Sequence, residues 1–260
     1  MTTPFSLHFA GSPTAMGLHV DQLCEVPAAL AALGLEEPRP VVVIVGGAGG
    51  LDPADLDRLR PLFESGLVPV IARLGAAAID GGTWSGVMRL LGEARSSAGA
   101  DFPLVGVAAA GTVTLPGGQQ PQDDTALLDP NHTHFVLVPG DHWGAEVGWI
   151  ARVATELAAG TPSITVVVNG GEIAYADVER SLDAGRPVLT IAGSGRTADQ
   201  LASAARGVPA DERAVALAKT GLIQPVSAED TSRLARMVAA ALAGPAAGEP
   251  VSAERQPRKR

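Results

Sequence analysis

Glu146 closes the run Pro139-Gly140-Asp141-His142-Trp143-Gly144-Ala145-Glu146, and Arg196 lies inside Gly193-Ser194-Gly195-Arg196-Thr197-Ala198. A carboxylate behind a glycine loop can bind a ligand's donors or move a proton, and a guanidinium beside a glycine turn can fork onto a phosphate. Asp199 is spaced to orient that guanidinium. In helical projection Glu146, Ile150, Val153 and Leu157 share a face, which predicts a helix over 144–158 with the carboxylate at the top of a buried stripe. The other reading of Glu146 is an acidic residue that merely stabilises a first helical turn. Arg152 and Glu156, spaced i, i+4, read as a solvated pair. Asp129-Pro130-Asn131-His132-Thr133-His134 leads into an apolar run at 135–138. Histidines at spacing two face the same side of a strand, so His132 and His134 could share a metal. No third ligand is evident, so no metal is expected and the preferred reading is histidines hydrogen-bonded near the sheet edge.

Several chemistries are excluded by what is missing. The chain has two lysines, Lys219 and Lys259, and neither follows a glycine loop, so Gly46 to Gly50 is not a Walker A loop and a Schiff-base lysine is not expected. No G-x-S-x-G elbow occurs. The 193–198 segment does fit G-x-G-x-x-A between a strand and a helix, as a phosphate or ribose cradle or simply a tight turn. It follows what reads as the last strand, with only helices beyond.

The elements that must hold these groups are six apolar runs, at 41–45, 76–79, 104–110, 135–138, 164–168 and 188–192, each ending in a glycine-bearing turn. Glycine lets amides converge on an anion, and a helix starting just beyond adds its positive end. The turns supply Gly46, Gly47, Ala48 and Gly49; Gly81, Gly82 and Thr83; Gly140, Asp141 and Gly144; Gly170 and Gly171; and Gly193, Ser194, Gly195 and Arg196 as candidate ligand contacts, with Trp84 or Trp143 for a base or sugar. Helices are predicted at 21–33, 53–65, 85–97, 144–158, 176–184, 197–205, 211–220 and 228–242. Alternation with continuous apolar strands predicts an α/β, Rossmann-like, mainly parallel sheet with helices on both faces. In such a sheet all these turns gather at the carboxyl edge. Residues 1–39 read as an N-terminal extension packed on the core, with a short strand at 5–9; 40–242 as the main domain; 115–126 as a mobile loop; and 243–260 as a disordered, basic-ended tail.

At 260 residues, with 46% hydrophobic and 18% charged residues, the chain suits a single folded domain. The net charge of −9 argues against nucleic acid as a partner. A lone cysteine, Cys24, excludes a disulfide framework. No apolar run reaches bilayer length and no basic leader with a long apolar core opens the chain, so a cytoplasmic protein with no membrane partner is expected. A homo-oligomer, most simply a symmetric dimer, is expected of this class.

Taken in order, Gly46-Gly47-Ala48, Asp80-Gly81-Gly82-Thr83 with Gly86-Val87-Met88, Pro103-Leu104-Val105-Gly106-Val107, Leu128 to Phe135, Trp143-Gly144-Ala145-Glu146, Gly170-Gly171 and Gly193-Ser194-Gly195-Arg196-Thr197-Ala198-Asp199 resemble the SLOG superfamily, in its LSDAT group. That group includes the cytosolic N-terminal region of melastatin-type TRP channels. The resemblance implies a Rossmann-like sensor of a small-molecule nucleotide, with ADP-ribose, AMP or an NAD-like compound as the ligand and no further cofactor required. It also implies distant kinship to the Lonely guy phosphoribohydrolases, which cleave nucleoside monophosphates with an Arg and a Glu near P-G-G-x-G-T-x-x-E. Here Asp141 replaces the second glycine and no threonine follows, so the alternative activity, cleavage of an N-glycosidic bond, would rest on Glu146 with Asp141 or Arg152 in support.

Overall fold

The computed structural model describes residues 3–49, 51–118 and 124–244. The strands are β1 (Phe5–Leu7), β2 (Ala15–His19), β3 (Val41–Gly46), β4 (Ala77–Asp80), β5 (Leu104–Ala109), β6 (Val113–Thr114), β7 (Ala126–Leu127), β8 (His134–Val138), β9 (Ser163–Val168), β10 (Val188–Ala192) and β11 (Ile223–Ser227). The helices are α1 (Val26–Ala32), α2 (Pro53–Pro61), α3 (Val68–Arg73), α4 (Gly86–Ser97), α5 (Val147–Ala158), α6 (Glu172–Asp183), α7 (Arg196–Ala205), α8 (Glu212–Ala218) and α9 (Thr231–Ala243). A π-helical stretch, Leu62–Leu67, joins α2 to α3.

Nine strands form one sheet in the order β1-β2-β8-β5-β4-β3-β9-β10-β11. Every pairing in it is parallel except β1 with β2. The continuous apolar strands make sense because both faces are covered: Val41, Val43 and Val45 of β3 enter one core with α1, α5, α6 and α7, and Val42 and Ile44 enter the other with α4 and α9. The fold is therefore the α/β, Rossmann-like architecture expected.

Strand order places the site. From β3 the chain winds outward through β4, β5 and β8, with α2, α3 and α4 packed on one face. It then returns through α5, on the opposite face, to start β9 on the other side of β3. The connections leaving β3 and β9 diverge to opposite faces, which opens a crevice at their carboxyl ends.

Three local expectations are corrected. A strand does follow the 193–198 segment: β11 pairs with β10 along its whole length. It contains Gln224 and Pro225, and a proline is tolerated because this strand is an edge. The segment before residue 40 supplies not one strand but two, and β2 pairs with β8 inside the sheet. Helix α5 begins at Val147, so Glu146 is its N-cap residue rather than part of its first turn. Of the expected loop at 115–126, residues 119–123 lie outside the described residues, as do residues 245–260 of the expected tail; Ala243 still belongs to α9.

Candidate functional site

A cavity of about 630 Å³ lies at the carboxyl edge of β3, between the diverging connections. Five strand ends meet there. Gly46, Gly47, Ala48 and Gly49 follow β3; Gly81, Thr83 and Ser85 follow β4; Trp143 and Glu146 follow β8; Gly171 and Glu172 follow β9; and Arg196 follows β10. Apolar side chains of Ile44, Met88, Ile150 and Ile173 line the rest of the wall.

The local conformations have identifiable causes. Gly86, the first residue of α4, has φ +49°, and a Cβ there would run into the Gly47 carbonyl and lie 2.9 Å from the Ala48 Cα. That close approach lets the Val87 amide donate to Gly47 O at 3.2 Å, so α4 holds the first glycine turn in place. Gly86→Ala is expected to lower the unfolding free energy by about 3 kcal/mol, from positive φ and overpacking together. Urea denaturation of the variant and parent checks this.

Asn169, at φ +59°, holds the next two turns together. Its backbone N–H donates to Ser194 Oγ at 2.7 Å, its side-chain amide donates to Ser194 O at 2.8 Å, and its side-chain oxygen accepts from the Gly170 N–H at 2.9 Å. This staple locks the β9 turn onto the β10 turn. It carries no signal at the level of composition or spacing, and sequence reasoning missed it.

These bonds sort the candidate glycines into two kinds. The amides of Gly82, Gly144, Gly170 and Gly193 are already committed, to Asp80, Glu146, Asn169 and Asp199 respectively. Gly82, Gly140, Asp141, Gly144, Gly170, Gly193, Ser194 and Gly195 do not line the cavity. Asp141 points outward with its side chain 96% exposed, beside His142. Asp199 does not orient Arg196; it accepts from the Gly193 amide at 2.6 Å. By contrast the amides of Ala48, Gly49, Gly81 and Gly171 make no hydrogen bond within the described residues, and all four residues line the cavity.

Arg196 complements them. Its guanidinium donates to Gly49 O at 3.4 Å and lies over Gly171, and it makes no ion pair within the described residues. It also borders a second cavity of about 430 Å³ that shares Gly171 and Glu172 with the first. A charged donor beside open amides is the arrangement that receives an anion.

On the other side of the cavity stand two carboxyl groups. Glu146 accepts the Gly144 N–H with both oxygens, at 3.0 and 3.2 Å. Burial nevertheless holds its acidity weaker than that of an ordinary glutamate, the Gly144 and Glu146 amides only partly offsetting it. Asp177, one turn into α6 on the side that carries Ile173 and Ala174, lines the cavity too. Burial, with the nearby Glu146 charge adding to it, pushes its pKa up to about 8. The sequence reading places Asp177 inside the helix predicted at 176–184 but gives it no role; the observed helix begins earlier, at Glu172. Arg152, proposed as a supporting group, is paired with Glu156 at 2.8 Å and does not line the cavity.

The two histidines go separate ways. His132 lies in the turn ahead of β8, fully buried, with Nε2 2.8 Å from Asp80 Oδ1 and Nδ1 2.9 Å from Asp129 Oδ2. Its ring stacks on Phe135. Burial would lower its pKa, but attraction to Asp80 and hydrogen bonds to Asp129 and Asp80 outweigh that and raise it to about 9. His134 binds Thr133 Oγ1 at 2.8 Å, and burial lowers its pKa to about 4. Both His132 nitrogens are taken by carboxylates, so the pair is not arranged to share a metal. Among the described residues no group of three or more His, Cys, Asp or Glu side chains is arranged so that it could hold a metal ion.

The family model described as SLOG in TRPM, prokaryote, matches residues 39–236. Transient receptor potential cation channel subfamily M member 2 of Mus musculus is 29% identical over 219 residues, covering 71% of this chain and 14% of that protein. The Rattus norvegicus counterpart is 30% identical with the same coverage. A member-like 2 channel of Nematostella vectensis is 30% identical over 203 residues, covering 63% of this chain and 13% of its own length. The chain thus spans about a seventh of the relatives it matches. A solved structural-genomics target, TM1055, aligns at a TM-score of 0.49 and 19% identity, covering 76% of this chain and 98% of that one. No helix of the described residues is long and apolar enough to cross a membrane. With the match running from just before β3 into α9, the chain belongs to the SLOG in TRPM, prokaryote, family.

Proposed function

We infer that the protein is a binding module for a nucleotide or nucleotide derivative, with AMP, ADP-ribose and NAD-like compounds as the ligands to try first. The observation that carries this is that Ala48, Gly49, Gly81 and Gly171, whose amides make no hydrogen bond within the described residues, line the same cavity as Arg196, which makes no ion pair among those residues. A phosphate would sit there, and Trp143, 40% exposed at the cavity wall, offers a ring for a base. The volume is within the range of small-molecule sites. On this reading the module is cytoplasmic and works as a homo-oligomer.

Arg196→Ala is expected to weaken AMP or ADP-ribose binding by about 10- to 100-fold, the loss of one charge-assisted hydrogen bond. Titration calorimetry checks it. Well-folded parent protein that gives no heat with AMP, ADP-ribose or NAD would rule the reading out.

A second reading, hydrolysis of a nucleoside monophosphate at its N-glycosidic bond, is favoured by one observation: Glu146 and Asp177 are two weakened acids beside one cavity. Two carboxyl groups can stabilise positive charge on a ribose and deliver a proton to the departing base. Incubation with AMP and chromatography for free adenine separates the readings, and turnover unchanged in Glu146→Gln would remove that residue from the reaction.

A further inference from the structure

Asp177 is a carboxyl group that the anion cradle leaves unused. Its Oδ1 is shut off from solvent and has no hydrogen-bond partner, while the residue borders the cavity. Glu146 borders the same cavity from the start of α5, and α5 packs against α6. The walls around the two acids are apolar, from Ile44, Ile150, Ile173 and Ala174. A buried acceptor left unpaired is costly, and this one belongs to a carboxyl group whose residue borders the cavity.

Resting on the nucleotide reading above, we propose that Asp177 and Glu146 together receive the vicinal hydroxyls of the ligand's ribose, so that the site selects ribonucleotides over their deoxy forms. Charge fixes the direction of the ligand. A phosphate is repelled by the Glu146 charge and drawn to Arg196 and the open amides, so the sugar attached to it is carried toward α5 and α6. A ribose diol brings two O–H donors to two carboxyl acceptors.

The acidity of the pair fits this partner. The charged and titratable side chains around the cavity are Glu146 from α5, Glu172 and Asp177 from α6, and Arg196 from α7; β3 and its turn contribute none, and Glu172 is engaged with Arg213 at 2.8 Å. Burial keeps the Asp177 proton in place up to about pH 8, so the acid can also donate to a hydroxyl oxygen while Glu146 only accepts. An amine in place of the diol would call for both carboxyl groups to ionise, which the apolar walls oppose.

The test is a titration of AMP, 2′-deoxy-AMP and 2′,3′-dideoxy-AMP into parent, Asp177→Ala, Asp177→Ser and Arg196→Ala proteins at pH 7. The parent is expected to bind AMP about 10- to 100-fold more tightly than the deoxy compounds, the loss of one or two hydrogen bonds to a charged or shared-proton acceptor. Both Asp177 variants are expected to lose most of that preference. Arg196→Ala is expected to bind all three more weakly and keep the preference. Equal affinities in the parent overturn the proposal without any variant, and a preference undiminished in both Asp177 variants overturns the role of Asp177 while leaving nucleotide binding intact. Failure of all three compounds to bind the folded parent overturns the diol assignment as argued for AMP, and failure of ADP-ribose and NAD as well sinks the nucleotide reading.

Discussion

His132→Ala is expected to lower the unfolding free energy at pH 7 by about 3–5 kcal/mol, a large share of the ~5–15 kcal/mol that holds a typical domain folded. The reason is the company it keeps. Asp80, Asp129 and the His132 side chain are fully buried, and the imidazolium is the cation between the two carboxylates. Asp80 Oδ2 has no partner even with the histidine present. Removing the ring leaves two buried acid side chains without the partner they share, and the fold must loosen to solvate them. Asp80 also accepts the Gly82 amide at 2.7 Å, so the damage reaches the turn that carries Gly81 and Thr83 to the cavity. His132→Gln, which keeps one donor, is expected to lose less.

The same network sets a pH signature. The folded pKa of about 9 lies above the ordinary 6.5, so the stabilisation from His132 is present in full below about pH 6.5 and is lost as pH rises through 9. The difference corresponds to about 3 kcal/mol. Chemical denaturation of parent and His132→Gln between pH 6.5 and 9 is expected to show the parent losing more; parallel curves would mean that the ring is not charged in the fold.

What the sequence made legible, and what it hid, follows from how each residue does its work. Strand β3 was readable because a run of valine and isoleucine cannot be half-exposed, and its alternate side chains do enter opposite cores. Strand β11 was hidden because Gln224 and Pro225 interrupt its apolar run, as an edge permits. The helix predicted at 53–65 runs through Pro61 but stops short of Pro69, whereas the π-helical stretch carries the helical path on into α3, which ends at Arg73. In the site, glycines at strand ends were correctly located at one edge, but spacing cannot separate a glycine that opens an amide, such as Gly171, from one that permits packing, such as Gly82 against Gly106 and Phe135. Asp177 was hidden for a different reason. Nothing in a helix's sequence marks the one acid that its register turns toward a cavity.

Asp177→Asn is expected to make the protein more stable at pH 8, not less. Here the folded pKa of about 8 stands above the ordinary 3.8, so the favourable contribution of the neutral acid is full below about pH 4 and falls away as pH rises to 8. A shift of that size corresponds to on the order of 5 kcal/mol, and because the side chain borders a cavity open to water, screening trims it to ~3 kcal/mol. Asparagine keeps the shape with no charge to bury, so the melting temperature at pH 8 is expected to rise by roughly 6–12 °C. His134 works in the opposite sense, its lowered pKa of about 4 giving stability above pH 6.5 that is lost as pH falls through 4. The parent's own curve between pH 4 and 6.5 therefore mixes two opposed contributions, and the difference between parent and Asp177→Asn isolates one. That difference should grow from near zero at pH 4 to its largest value at pH 8; a constant offset would mean that Asp177 ionises normally. A carboxyl group that weakens the fold at neutral pH, on a residue that borders a cavity and with its buried oxygen unpaired, is what the proposed ribose contact would account for. If the asparagine variant were both more stable and unaltered in nucleotide selectivity, the burial of Asp177 would have no function to set against its cost.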